Sequence, residues 1–248
     1  MLGQSTRCCA HPQAPLPVRY TKTRLFPDAH FTPAELIRLR DPLDSGDYVY
    51  ELKMDGFRAL AHVSGDSTRL VSRRGSIYKS FPWLCSAIHS AIGCEAVIDG
   101  EIVCLDAHGR PQFYELLRRR GEPIFYAFDV LWCDGEDLRE RPLVERKRVL
   151  RSVIPAPSTC LLYADHIERT GVEFFRRVCE QDLEGVVAKL RHGVYGERWY
   201  KIRNPQYTQY EGRRELFDRR NRGSGRMIPR TIFQLSHLLN LVEIDHLI

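Results

Sequence analysis

Between residue 31 and residue 203 the apolar positions change period repeatedly. Two-residue alternation or short apolar runs predict strands over 47–54, 58–63, 68–73, 96–105, 123–133, 161–165, 185–190 and 199–203. Helical spacing predicts helices over 33–39, 80–92, 111–119, 142–152 and 171–181. Turn pairs punctuate the strands at Asp55-Gly56, Gly65-Asp66, His108-Gly109 and Asp134-Gly135. So many hairpin signals predict an α+β fold of antiparallel sheets flanked by helices, not a doubly wound parallel sheet. No Gly-x-Gly-x-x-Gly or Walker A stretch occurs, so a nucleotide would have to be held another way.

The ends read differently. Residues 1–20 form a Pro-rich lead expected to be flexible. The run "RRELFDRRNRGSGRMIPR" carries seven arginines from Arg213 to Arg230 and precedes an apolar stretch of roughly helical spacing. The expected organisation is a lead over 1–20, one domain over 21–217, and a basic linker with a C-terminal helix over 218–248. The arginines admit two readings, a solvated linker or a nucleic-acid contact.

Composition adds modest constraints. The chain has 248 residues, 43% of them hydrophobic, with 37 Lys plus Arg against 32 Asp plus Glu. A net charge of +5 only hints at an anionic partner. Six of the basic residues are lysines, so 31 are arginines. Arginine suits bidentate phosphate contacts, and a GC-rich genome enriches it too. The eight cysteines include no Cys-x-x-Cys pair, which argues against a structural zinc site. Cys104 and Cys133 lie in apolar runs and read as small core residues. With no secretory leader and no apolar run of membrane-spanning length, a cytoplasmic protein with reduced thiols and no membrane contact is expected.

The stretch "YVYELKMDGFRAL" raises the question of chemistry. On a strand, Tyr48, Tyr50, Leu52 and Met54 share a face that needs a core, while Glu51, Lys53 and Asp55 share the other. Lys53 is either a surface lysine before an Asp-Gly hairpin or a nucleophile in a polar cleft. Other strands supply partners. "VIDGEIVCLD" puts Asp99 and Glu101 on one face, and "FYAFDVL" puts Tyr126 and Phe128 together. "LEGVVAKL" brings Glu184, a glycine and Lys189, and "WYKIR" alternates Trp199, Lys201 and Arg203 with Tyr200 and Ile202. Each alone is an ordinary half-buried strand. Together they describe a cleft of cations, carboxylates and aromatic surface. Asp55 and Asp99 both precede glycine and read as turn residues, and Asp129 reads as holder of a buried hydrogen bond.

"KMDGFR", "SRRG", "DGEIV", "FYAFDVL", "EGVVAK" and "WYKIR" occur in the order of the nucleotidyltransferase motifs of ATP-dependent DNA ligases. Residues 25–217 resemble bacterial ATP-dependent ligases akin to the ligase domain of end-joining repair enzymes. One Lys-x-Asp-Gly is a weak signal, whereas all these stretches in order are a strong one. The resemblance implies an ATP-grasp-like adenylation domain acting as a monomer on nicked or broken double-stranded DNA, with other DNA-repair proteins as partners. It implies ATP and Mg²⁺ as cofactors and Lys53 as the nucleophile that forms a lysyl-AMP. Glu101 and Glu184 would hold Mg²⁺, a cation that prefers oxygen, and Glu101 would also reach the ribose. Phe128 would stack on adenine with Glu51 beside the base edge. Arg58 and Arg73 would hold ribose and phosphate, or the 5′-phosphate of the nick. Lys189 and Lys201, with Arg203 on the same face, would neutralise the transferring phosphate and help deprotonate Lys53. The family's OB-fold and its basic motif are not visible after Arg203, so a lone adenylation domain is expected. RNA ligation or capping, and a catalytically quiet DNA-binding module, are the alternatives. Five intact polar positions, Lys53, Glu101, Glu184, Lys189 and Lys201, argue against the quiet module.

Overall fold

The computed structural model describes residues 31–154 and 158–210. The lead, the arginine run and the apolar tail therefore lie outside the described residues. Eleven strands form two sheets among the described residues. The smaller sheet orders β1 (Ile37–Arg38), β11 (Tyr200–Arg203), β10 (Gly185–Leu190), β2 (Ser45–Leu52) and β9 (His166–Arg169). The larger runs β4 (Thr68–Ser72), β3 (Phe57–Val63), β5 (Ala96–Cys104), β6 (Pro123–Cys133) and β7 (Glu136–Asp137), with β8 (Leu161–Tyr163) also on β6. Pairing is antiparallel except for β1 with β11 and β8 with β6.

Helices α1 (Pro82–Ala91), α2 (Phe113–Arg118) and α3 (Leu143–Val153) pack on the larger sheet, and α4 (Gly171–Glu180) on the smaller. One apolar cluster joins Ile98, Ile102, Phe125 and Val130 of the larger sheet to Leu84 and Ile88 of α1 and Leu150 of α3. A second joins Tyr50, Leu52 and Met54 to Phe174 and Val178 of α4. This is the face of β2 that the alternation assigned to the core. Its opposite face, with Glu51 and Lys53, is thereby turned toward the space between the sheets.

Three expectations change. Residues 33–39 are not a helix. The N–H groups of Ile37 and Leu39 donate to Trp199 O and Lys201 O at 2.8 and 3.0 Å, so the segment pairs with β11. Seven residues of helical spacing carry little intrinsic stability, and an open strand edge outbids them. Asp55-Gly56 is not a hairpin, because β2 and β3 belong to different sheets. The Lys53 N–H still donates to Gly185 O at 2.9 Å in the smaller sheet, and four residues later the chain is in the larger one. Gly56 permits the crossing: a Cβ there would lie 2.1 Å from Ile102 O. Asp99 is no turn residue either. It stands fully buried in mid-β5, facing Arg58. The other three turn pairs close as expected, Gly65-Asp66 between β3 and β4 and Asp134-Gly135 between β6 and β7, while His108-Gly109 sits in a tight loop bridged by Leu105 and Pro111. The two-residue strand β7 and strand β9 lay outside the predicted set.

Candidate active site

The cleft between the sheets is lined by Glu51, Lys53 and Met54 of the β2 end, and by Val187 and Lys189 of β10. Arg58, Glu101, Tyr126, Phe128, Trp199 and Leu36 complete it. Strand alternation explains the polar part of the set, while Leu52 and Met54 of the apolar face also reach the edge of the cleft. Odd-numbered residues of β2 and β10, and the face of β5 carrying Asp99 and Glu101, point inward.

Lys53 donates to Glu184 Oε2 at 2.7 Å, and its side chain keeps 16% exposure. Glu184 precedes Gly185, whose φ of +149° and close approach to Ile202 O exclude any side chain at that position. The other Glu184 oxygen accepts from the Tyr210 hydroxyl at 2.9 Å. Glu101 stands behind this pair. Burial pushes its carboxyl up to about 8; Lys53 and Arg58 oppose the rise, and Glu184 and Asp55 add to it. Glu101 and Glu184 are close enough to feel each other's charge, and their oxygens could hold a hard divalent cation once both are ionised. Lys201, further along β11, has its ammonium lowered by burial and then by repulsion from Arg203, Lys53 and Arg73.

A second group is buried at the back of the cleft. Glu51 accepts from Lys147 at 2.5 Å and pairs with Lys189 at 2.7 Å. Burial alone would raise the Glu51 carboxyl, but the two lysines outweigh it and lower it. Two cations share one carboxylate, so both cannot be matched. Lys147 is raised, because Glu51 and Tyr163 outweigh its burial. Lys189 is lowered, because burial and Lys147 outweigh its share of Glu51. The Lys189 ammonium lies 4.4 Å from the Phe128 ring centroid and 4.1 Å from that of Trp199, contacts that offset part of its desolvation.

Arg58 lies in the cleft but is heavily engaged. It grips Asp99 at 3.0 and 2.6 Å, donates to Ala34 O at 2.8 Å, and covers the Phe128 ring at 5.2 Å. Arg73 is not brought into the cleft. It is 61% exposed and paired with Glu35 on the surface. Arg203 is half exposed and 4.0 Å from Glu184. Asp129 holds Arg146 in a buried pair, in agreement with a hydrogen-bonding role.

Sequence reasoning missed Lys147, Tyr210 and Tyr195, whose hydroxyl donates to Asp99 at 2.5 Å. "VERKRVL" reads as a charged helix face, and nothing in it marks Lys147 as buried.

The family model described as "ATP dependent DNA ligase domain" matches residues 35–203. The multifunctional non-homologous end joining protein LigD of Pseudomonas aeruginosa is 32% identical over 181 residues, covering 68% of this chain and 21% of the relative. The SPbeta prophage-derived DNA ligase-like protein LigB of Bacillus subtilis is 27% identical, covering 72% of this chain and 69% of that one. Among solved structures, mycobacterial DNA ligase D complexed with ATP and MES superposes with a TM-score of 0.60 at 26% identity, over 69% of this chain and 60% of that one. The fold is that of a ligase nucleotidyltransferase domain. The chain belongs to the ATP-dependent DNA ligase domain family. It spans about a fifth of the length of the Pseudomonas relative.

Proposed function

We propose that this protein is an ATP-dependent DNA ligase that uses Lys53 to form a lysyl-AMP and transfers the AMP to a DNA 5′-phosphate, sealing breaks during repair. The carrying observation is the Lys53–Glu184 contact at 2.7 Å in a cleft shared with Glu101, Phe128 and Lys189. Family membership supports the same reaction.

ATP enters this scheme as a substrate. A lysine ammonium is not a nucleophile, so Lys53 must first lose a proton. Glu184 Oε2 is the acceptor within reach. The freed Nζ attacks the α-phosphorus, a nitrogen–phosphorus bond forms, and the bond to the β-phosphate oxygen breaks with release of pyrophosphate. Lys201 and Lys189 face the charge that spreads over the phosphoryl oxygens. Phe128 offers the adenine a stacking surface and Glu51 an acceptor for its edge. Arg58 braces Phe128 from Asp99. Arg73 stands at the rim, where a DNA phosphate could replace its Glu35 contact. Glu101 and Glu184 would hold Mg²⁺, which when bound supplies positive charge against the phosphates.

The test is incubation of the protein with Mg²⁺ and α-labelled ATP, followed by nicked duplex DNA and nicked duplex RNA. Acid-labile label on the wild type, none on Lys53→Ala, and discharge onto the DNA 5′-end support the reading. Label that forms but discharges only onto RNA overturns the DNA assignment.

A further inference from the structure

At the ends of β5 and β6 remote from Glu101, the fold brings two cysteines together from positions 39 residues apart. Cys94 Sγ and Cys133 Sγ are 3.8 Å apart. A carboxylate oxygen of Asp134 completes a group whose ligand atoms all lie within 4.8 Å of one another. The sheet register makes this juxtaposition. Ala96 pairs with Cys133, which places Cys94, two residues earlier, diagonal to Cys133 on the same face. The Asp134 N–H donates to Glu95 O at 2.9 Å, and the Glu95 N–H donates to Asp134 Oδ1 at 3.1 Å. Both thiols are half-buried and Asp134 is exposed, so an ion could enter from solvent.

We propose that Cys94, Cys133 and Asp134 bind a divalent cation of the zinc class, with water in the fourth position. Two thiolates about 2.3 Å from a tetrahedral zinc stand roughly 3.8 Å from each other, the separation the sulfurs already have. A disulfide needs about 2.05 Å, so oxidation would require them to close by nearly half that separation. The hydrogen bond from Glu95 N–H fixes the carboxylate, as outer contacts do for metal-ligating groups. Binding displaces the two thiol protons to solvent and leaves two sulfur–metal bonds and one oxygen–metal bond. The site clips the approach to β5 onto the β6–β7 hairpin. Glu101 lies seven positions beyond Cys94, about 23 Å of extended chain, so the ion would brace the larger sheet without entering the cleft.

Cobalt and cadmium are the probes. The full chain, reduced with a non-thiol reductant, is titrated with Co²⁺ and then Cd²⁺. The expected result is one equivalent of ion showing tetrahedral Co²⁺ bands and a thiolate-to-metal charge-transfer band. Cys94→Ser and Cys133→Ser should each abolish these signals, and Asp134→Asn should weaken binding by roughly 10- to 100-fold. Cys8→Ser/Cys9→Ser should retain them. Zn²⁺ should raise the melting temperature of the wild type and not of Cys133→Ser. The proposal is overturned if the signals persist in both single serine variants, if they vanish with Cys8 and Cys9, or if the pair forms a disulfide while taking up no metal. Should a serine variant fail to fold, exposed Asp134 decides: unchanged affinity in Asp134→Asn also overturns it.

Discussion

Two ion pairs of this protein join different elements, and they are built to opposite ends. Arg146 meets Asp129 through two parallel contacts of 2.9 Å, and its remaining nitrogen donates to the carbonyls of Arg141 and Gly193. Both side chains are fully buried. The charges, the lone pairs and the donors are matched, and the pair is closed. Lys53 meets Glu184 through one contact and keeps an opening to the cleft. Beside it lies Glu101, a carboxyl whose ionisation burial resists. A matched pair has nothing left to offer a ligand and serves the fold. A pair with one contact, an open side and a reluctant carboxylate behind it can exchange partners, which phosphoryl chemistry needs.

Either pair can be tested by substitution. The largest effect is expected from Lys53→Ala, which should eliminate covalent labelling by ATP while barely moving the denaturant midpoint. Residual labelling would mean that another group is the nucleophile. Next comes Arg146→Ala, expected to cost about 3–5 kcal/mol because it strands a buried carboxylate. Urea unfolding measures this, and a loss below about 1 kcal/mol would erase the contrast between the pairs. Glu184→Ala should slow single-turnover AMP transfer by about 10²–10³-fold with ATP binding changed far less. Equal losses in both would make Glu184 a structural residue.

A pH series sharpens the open pair. The Glu101 carboxyl is raised from its ordinary 4.5 to about 8, so the folded chain keeps a proton that the unfolded chain releases. The stability this proton contributes is full below 4.5 and is lost as pH rises through about 8. Without metal, stability should therefore fall across that window. Mg²⁺ affinity should rise by about tenfold per pH unit up to the same limit, since one proton is displaced. Glu101→Gln should flatten both curves, and flat curves in the wild type would refute the burial argument. The smallest effect is expected at the surface. Arg73→Ala should change stability by less than about 1 kcal/mol, because its pair with Glu35 is exposed.

Most strands were legible because their alternation was strong, and β2 shows why. Tyr50, Leu52 and Met54 needed a core, which sent Glu51 and Lys53 to the other face. The charged stretches placed Glu51, Lys53, Arg58, Glu101, Phe128 and Lys189 around one cleft and left Arg73 on the surface. What stayed hidden depends on contacts that no local pattern records. The edge of β11 turned 33–39 from a helix into a strand partner. The close approach of Gly56 to Ile102 O, which leaves no room for a Cβ, turned an Asp-Gly pair from a hairpin into a crossing. Lys147 occupies a charged helix face in sequence and a buried site in space, because Glu51 is there to receive it. Cys94 and Cys133 meet through strand register rather than spacing.

The crossing at Lys53 has a consequence for how the protein comes together. The backbone of Lys53 is tied to one sheet, its chain continues into the other, and its Glu184 partner comes from β10's end while Glu101 comes from β5. Neither sheet alone contains the reactive arrangement. During refolding, the ability to take up labelled AMP should therefore appear only after both sheets have formed and docked, later than the secondary-structure signal. Under the proposed reaction Lys53 would in this sense be a built-in reporter of completed assembly, readable one molecule at a time by a single covalent mark.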